Sequence, residues 1–278
     1  MFKIGIVGYG YVGKGMHKFL GDWVRAIYDP FCEDDDGTFL VDREKEDFKD
    51  LDLVIVSVPT NTSKDGMTGD FSIVEDSVKW LTELNLNLLI MVKSAVVPSE
   101  ADRIQKKYKA RLVVSPEYLG EGNYFVPFWK YPHPTEMKMH SFQVFGGEPK
   151  DTSACIDIFI KKMGPHVQFH QVDLKTAALC KYMENSWGAM KVTFCNEWYD
   201  IAKAHGVDYN TLREIWAADE RVERMHTAVF PKARGYGGKC FPKDIKAIIV
   251  DTEKAGYKPS IMRCVDKTNE ELTKKNKK

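Results

Sequence analysis

The segment RGYGGKCFPKD, Arg234 to Asp244, sets a cysteine between a glycine-rich turn and a helix start. Pro242 suits the first turn of a helix, so Cys240 is predicted at or near a helix N-terminus, where the peptide dipoles favour a thiolate and the sulfur faces a ligand. Gly237 and Gly238 let a substrate approach the backbone, and Asp244, four residues on, can face the same site. A phosphate loop of the form G-x-x-x-x-G-K-[ST] is excluded, because Ala233 stands at the first glycine and Cys240 at the hydroxyl position. A metal site would need further ligands, and no Cys or His lies nearby at ligand spacing. A buried structural cysteine is the general alternative; the position at a helix start argues against it.

Lys181 and Asn185 form a second candidate pair. They fall within a segment from Leu174 to about Ala204 that has no proline and repeats apolar residues at helical spacing, predicting a long, largely buried helix that Gly206 ends. At i and i+4 the two side chains share one face, and Gly188 continues that face without a side chain. Burying either polar group without a partner would cost roughly 2–7 kcal/mol. Taken alone, the pair is accounted for equally by a short solvated stripe on the helix surface.

The first half must position a cofactor if these residues are to act. Lys3–Val7, Val24–Tyr28, Leu53–Val58, Leu88–Val92 and Leu112–Val114 read as apolar strands, with Phe142–Phe145 and Val167–Phe169 after them. Helical patterns follow the first strand to Leu20 and cover Phe71–Leu84, Val97–Tyr108 and Thr152–Met163. Such alternation predicts a parallel sheet covered on both faces. GYGYVG, with Gly8, Gly10, Tyr11, Val12 and Gly13, fits the dinucleotide fingerprint: it follows a strand and opens a helix, and Asp29 ends the next strand. The glycines admit a pyrophosphate at the helix N-terminus. Asp29 would accept from the ribose hydroxyls, favouring NAD over NADP, although Arg43 and Lys45 could tolerate a phosphate.

The chain has 278 residues, of which 44 % are hydrophobic, enough for two domains with a sizeable core. Forty basic and forty acidic residues balance to zero net charge, which argues against a nucleic-acid partner. MFKIGIVGYG reads as a strand rather than a signal peptide, and no apolar run reaches the length of a membrane span. The six cysteines are scattered without a CxxC pair, as expected of free thiols in a reducing cytoplasm.

Together these stretches resemble the UDP-glucose/GDP-mannose (nucleotide-sugar) dehydrogenase family. GYGGKCFPKD resembles its catalytic cysteine motif; SPEYLGEG (Ser115 to Gly122) its NPEFLxEG stretch; KYMENSWGAMKVTFCNE (Lys181 to Glu197) its central helix; VPTN (Val58 to Asn61) and VKSAV (Val92 to Val96) its cofactor-side loops; and DERV (Asp219 to Val222) a segment whose arginine crosses the family dimer. The motifs fall in family order from Gly8 to about Asn269. The resemblance implies an α/β fold, with a Rossmann-like NAD-binding domain over 1–173 followed by an all-α central dimerisation domain over 174–278. It implies a cytoplasmic homodimer with NAD as cofactor and oxidation of UDP-glucose to UDP-glucuronate by two hydride transfers. Cys240 would carry the thiohemiacetal and thioester. Lys181 and Asn185 would stabilise oxyanions, Glu117 would act as base, and Asp244 would orient water. Pro59, Thr60, Ser94 and Glu121 would lie by the cofactor, and Arg221 and Gly237 would bind substrate beside Lys181 and Asn185.

Two departures qualify the resemblance. Ala95 follows Ser94 where the family usually has Thr, removing a hydroxyl near the expected catalytic water. The sequence also stops soon after Asn269, where family members usually continue into a third domain that grips the nucleotide. A catalytically weak or silent NAD-binding and dimerisation module therefore stays open as an alternative. So does a β-hydroxyacid-type dehydrogenase, which also sets Lys and Asn one turn apart but has no role for a nucleophilic cysteine.

Overall fold

A computed structural model describes residues 1–32, 45–63, 66, 68–119 and 137–276. The chain forms two compact units, Met1–Asn61 with Asp70–Lys181, and Thr62–Gly69 with Tyr182–Lys278.

The first unit is an α/β layer structure. Its strands are β1 (Ile4–Val7), β2 (Val24–Tyr28), β3 (Leu53–Val56), β4 (Leu89–Val92), β5 (Arg111–Val114), β6 (Phe142–Gly146) and β7 (Gln168–Val172). They form one seven-stranded sheet in the order β2-β1-β3-β4-β5-β6-β7. β1 to β5 run parallel, in register Ile6↔Ile55 and Val56↔Val92 at the centre. β6 turns back antiparallel to β5 through the pair Val114↔Gly146, so the sheet is not parallel throughout, and β7 is parallel to β6. β1, β3 and β4 are buried along their whole length, as strands with helices on both faces must be. Helices α1 (Tyr11–Leu20), α2 (Ser72–Leu84), α3 (Pro98–Tyr108) and α4 (Pro149–Met163) connect them. Proline opens α3 and α4, where its missing N–H costs nothing. Ile6, Met16, Leu20, Ile55, Phe145 and Phe159 centre the core.

β3 stops at Val56, two residues before the strand expected from the sequence. Ser57 is the last residue tied to β1, its N–H donating to the Val7 carbonyl and its hydroxyl to the Gly8 carbonyl, both at 2.8 Å. The order of strands reverses at β1, with β2 on one side and β3 on the other. In open α/β sheets ligands bind at that switch, outside the carboxyl ends of the strands.

α5 (Leu174–Ala204) is a 31-residue helix. It closes as expected: the Gly206 N–H donates to the Lys203 carbonyl at 3.1 Å and the Val207 N–H to the Ala202 carbonyl at 2.9 Å, with Gly206 at φ +72°. It is less buried than its composition suggested. Tyr182, Ala189, Cys195 and Ala202 are buried, but Met183 is 78 % and Trp187 52 % exposed, and Phe194 and Trp198 are exposed too. An apolar residue on every face cannot be covered by neighbours on one side only. The second unit continues with α6 (Tyr209–Trp216), α7 (Phe241–Lys254) and α8 (Ser260–Lys275). Ala189, Tyr236, Ile245, Ile249 and Val265 form one of its cores. No helix among the described residues is long and apolar enough to cross a membrane.

Gly206→Ala should destabilise the protein by about 1–2 kcal/mol, the cost of an L side chain in the left-handed region. The added methyl group itself meets nothing within 4 Å, so urea denaturation that shows no loss would mean the turn relaxes without αL geometry.

Candidate active site

In the first unit the three fingerprint glycines each meet a separate demand. Gly8 adopts φ +89°, and a Cβ there would sit 2.7 Å from the Ser57 carbonyl oxygen. At Gly13 a Cβ would lie 2.1 Å from the Gly8 carbonyl oxygen, so α1 packs directly on the loop. A Cβ at Gly10 would meet nothing within 4 Å, leaving the backbone open to a ligand. Tyr11 is exposed and Val12 half-buried. Asp29 ends beside this loop: its Oδ2 accepts from the Tyr9 N–H at 2.7 Å and its Oδ1 from the Phe31 N–H at 2.9 Å. The carboxylate braces the loop and keeps lone pairs for a further donor. The Ser94 hydroxyl donates to the Val58 carbonyl at 2.7 Å, tying the turn after β4 to exposed Pro59 and half-buried Thr60. Glu121 and Arg43 lie outside the described residues.

Glu117 lies just beyond β5 in a buried ion pair that the sequence did not announce. Lys93 Nζ is 3.2 Å from Glu117 Oε2, and the lysine side chain is wholly buried. Oε1 accepts from the N–H groups of Tyr118 and Leu119, both at 2.8 Å. Burial alone would raise the Glu117 carboxyl; the Lys93 ammonium, the Leu119 N–H and His140 outweigh it and hold the carboxyl below its ordinary value. Lys181, at the end of the same unit, places its ammonium 5.1 Å from the centre of the Tyr118 ring.

In the second unit Cys240 is exposed and is the N-cap of α7, with Pro242 in the first turn as predicted. Asp244 donates its N–H to the Cys240 carbonyl at 2.9 Å. Its buried carboxylate accepts from the Asn185 amide at 2.6 Å on one oxygen and from the Lys243 ammonium on the other. One of the two Asn185 N–H donors is thus committed to Asp244, leaving the second for a substrate oxygen. Tyr182, beside Lys181 in sequence, is 1 % exposed, and its hydroxyl has no hydrogen-bond partner among the described residues. Burial first, then Asp244 and Asp251, push its phenol well above the ordinary value. A Cβ at Gly237 would meet nothing within 4 Å. Arg221 is exposed and bonded to Asp219 of its own chain.

Arg234, which heads the cysteine loop, carries a role that sequence reasoning missed. Its Nε donates to Asn196 Oδ1 at 2.6 Å, Nη2 to the Asn196 carbonyl at 2.7 Å and Nη1 to Asp200 at 2.9 Å. Asn269 of α8 braces Tyr236 from both sides, accepting its N–H at 2.7 Å and donating to its carbonyl at 3.0 Å. An arginine opening a glycine-rich turn gives no local sign of burial. Lys93 did leave a trace, as the first charged residue after the apolar run LLIMV.

Lys93→Met should destabilise the protein by about 3–5 kcal/mol at neutral pH, because Glu117 would be left buried and unpaired. The folded Glu117 carboxyl lies below its unfolded value, so its contribution is present above about pH 4 and is lost as pH falls through the folded value. Without Lys93 burial prevails, the folded carboxyl rises, and the variant should gain stability as pH falls through that raised value. Urea denaturation as a function of pH checks both signs; parallel profiles for the two proteins would count against the pair.

Comparison with known proteins follows this geometry. Residues 175–271 match the central domain of the UDP-glucose/GDP-mannose dehydrogenase family. The UDP-glucose 6-dehydrogenase of Rickettsia typhi is 31% identical over 232 residues, covering 80% of this chain and 50% of its own length. The chain therefore spans about half the length of such curated relatives. Among solved structures, a UDP-glucose dehydrogenase from Pyrobaculum islandicum superposes with a TM-score of 0.78 at 23% identity, over 97% of this chain and 68% of that one. The 3-hydroxyisobutyrate dehydrogenase of Mycobacterium tuberculosis gives 0.67 at 14% identity, over 96% of this chain and 92% of that one. These two likenesses establish the fold, Rossmann-like with a helical continuation. Through residues 175–271 the chain carries a match to the central domain of the UDP-glucose/GDP-mannose dehydrogenase family.

Proposed function

We propose that the chain is an NAD-dependent nucleotide-sugar 6-dehydrogenase that oxidises UDP-glucose to UDP-glucuronate through a thioester on Cys240. The observation that carries this reading is the exposed Cys240 at the start of α7, one turn from the bonded Asn185 and Asp244. The substrate is suggested by relatives named UDP-glucose 6-dehydrogenase. In this reading residues 1–173 form the NAD-binding domain and 174–278 the helical domain.

The glycine loop fits a dinucleotide: Gly10 is open, and Gly8 and Gly13 have no room for a side chain. Gly8, Gly10, Tyr11, Val12 and Gly13 would hold the pyrophosphate at the start of α1, and Asp29 the ribose, with Pro59, Thr60, Ser94 and Glu121 beside them. When bound, NAD supplies the hydride acceptor for both oxidations. The chain's own residues handle the carbonyl chemistry. The Cys240 sulfur adds to the aldehyde carbon, and the oxygen takes negative charge that Lys181 and the uncommitted Asn185 N–H stabilise. After oxidation to the thioester, a water oriented by Asp244 attacks the same carbon; the carboxylate leaves and the thiolate returns. Glu117, ionised at neutral pH, accepts the water's proton, with its affinity reduced by Lys93. Gly237 and Arg221, the latter from a second copy, would contact the sugar nucleotide. The exposed Met183, Trp187, Phe194 and Trp198 support a homodimer through α5. Six free thiols suit a reducing cytoplasm.

The likeness to 3-hydroxyisobutyrate dehydrogenase, over 92% of that chain, favours a second reading as a β-hydroxyacid-type dehydrogenase. Stoichiometry separates the two. Oxidation of UDP-glucose should yield two NADH per substrate, and Cys240→Ser should abolish acid formation while NAD affinity stays unchanged, because a serine hydroxyl is a far weaker nucleophile. One NADH per turnover, or acid formed by the variant at the wild-type rate, removes the covalent mechanism. Asp29→Ala should weaken NAD by about 1–3 kcal/mol and improve relative affinity for NADP; calorimetric titration in which neither affinity moves would remove Asp29 from the ribose site.

A further inference from the structure

We propose that Phe241 is a positioning residue for Cys240, its ring seated in the gap that Gly188 leaves on α5; the proposal rests on the reading of Cys240 as the nucleophile. Gly188 lies one turn beyond Asn185 on the same helical face. A Cβ at Gly188 would fall 2.6 Å from Phe241 Cζ, 3.2 Å from its Cε2 and 3.3 Å from His226 Cδ2. Carbon atoms settle at about 3.5–4.0 Å, so the ring occupies the space an alanine methyl would need. Two further rings meet Phe241 edge-on: His226 at 5.2 Å and 69°, and Tyr236 at 6.1 Å and 75°. His226 holds φ +63°, a conformation costly for a residue with a side chain.

The ring is therefore bounded by α5, by a strained histidine and by a tyrosine whose backbone Asn269 clamps. Phe241 is the first residue of α7 and is peptide-bonded to Cys240. Fixing its ring fixes its backbone, and with it the direction in which the preceding residue presents its sulfur. The Asn185–Asp244 hydrogen bond and the Gly188–Phe241 contact lie about one turn apart along both helices. One polar and one apolar contact together set the register of the α7 start against the helix face that carries Asn185.

The test compares Gly188→Ala, Phe241→Leu and the double variant. Two readouts apply: steady-state kinetics with UDP-glucose and NAD, and the rate of iodoacetamide alkylation at Cys240 by peptide mass spectrometry, with exposed Cys264 as reference. Gly188→Ala should lower kcat about 100-fold, as a displacement near 1 Å does, with KM within about threefold. It should slow Cys240 alkylation about tenfold by moving the thiol off the helix N-terminus, and leave Cys264 unchanged. The double variant should recover to the level of Phe241→Leu alone, because leucine has no Cζ to meet the alanine methyl. Losses that add, or Cys240 alkylation unchanged in Gly188→Ala, would overturn the proposal. If Gly188→Ala does not fold, Phe241→Leu, which only removes atoms, decides: unchanged alkylation at Cys240 overturns the proposal, and slowed alkylation supports it. Absence of turnover in the wild-type protein would defeat the proposed reaction instead, while the alkylation readout still decides the role of Phe241.

Discussion

In the second unit the loop that carries Cys240 depends on a buried cation, Arg234. Arg234 is 8 % exposed, and its fork reaches two side chains and one carbonyl of α5 while its carbon lies 4.6 Å from the Tyr199 ring centre. Such a charge is tolerated inside a protein only where its donors are matched, and loss of a partner would leave it uncompensated. That requirement makes the contact directional. It holds the N-terminal end of the RGYGGKC loop on α5, while Asn276, which caps α8, and Asn269 of α8 bond the backbones of Arg234 and Tyr236. Gly235, at φ +78° and with Asn269 Oδ1 only 2.5 Å from a would-be Cβ, lets the loop pass that close. Cys240 is thus delivered by a loop fixed at one end by Arg234 and at the other by the first turn of α7.

The same logic recurs in the first unit. Lys93 follows β4 and Glu117 follows β5, so a buried ion pair stands at the carboxyl end of the sheet, the end where ligands bind in open α/β folds. The two backbone N–H groups on Glu117 Oε1 and the lysine on Oε2 fix the carboxylate in one orientation. Around the glycine loop, Asp29 and Ser57 do for the backbone what Lys93 does for Glu117: each adds a side-chain bond where the strands give way to loop. Ligand-facing backbone is ordered throughout by side chains from other elements.

α5 joins these themes. Its buried positions carry the bonded Asn185 and Asn196, small Ala189 and the large ring of Tyr182, whereas its exposed positions carry Met183, Trp187, Phe194 and Trp198. Large apolar groups thus face outward as well as inward, so α5 has no single apolar stripe. The inward Asn185 and Asn196 have named partners, which offsets their burial. The outward apolar ones are the basis of the homodimer proposed above.

Much of the frame was legible in residue order because its causes are local. Alternating apolar runs and helical spacing fixed where β1 to β5 and α1 to α5 would lie, since burial on two faces or one face imprints a period on the chain. Gly8 and Gly206 were readable because backbone conformation there demands glycine, and Asp29 and Cys240 because each borders an element whose limit the neighbouring residues mark. Tertiary structure alone decided the partners. Asn185 bonds Asp244 across 59 residues and Arg234 bonds Asn196 across 38, separations that leave no periodic trace. It also decided that β6 runs antiparallel, that β3 ends at Val56 and that Trp187 faces outward. Spacing determines which side of a helix or strand a residue occupies; what that side packs against depends on elements distant in the chain, whose arrangement is set by the total fit of buried surface and matched hydrogen bonds.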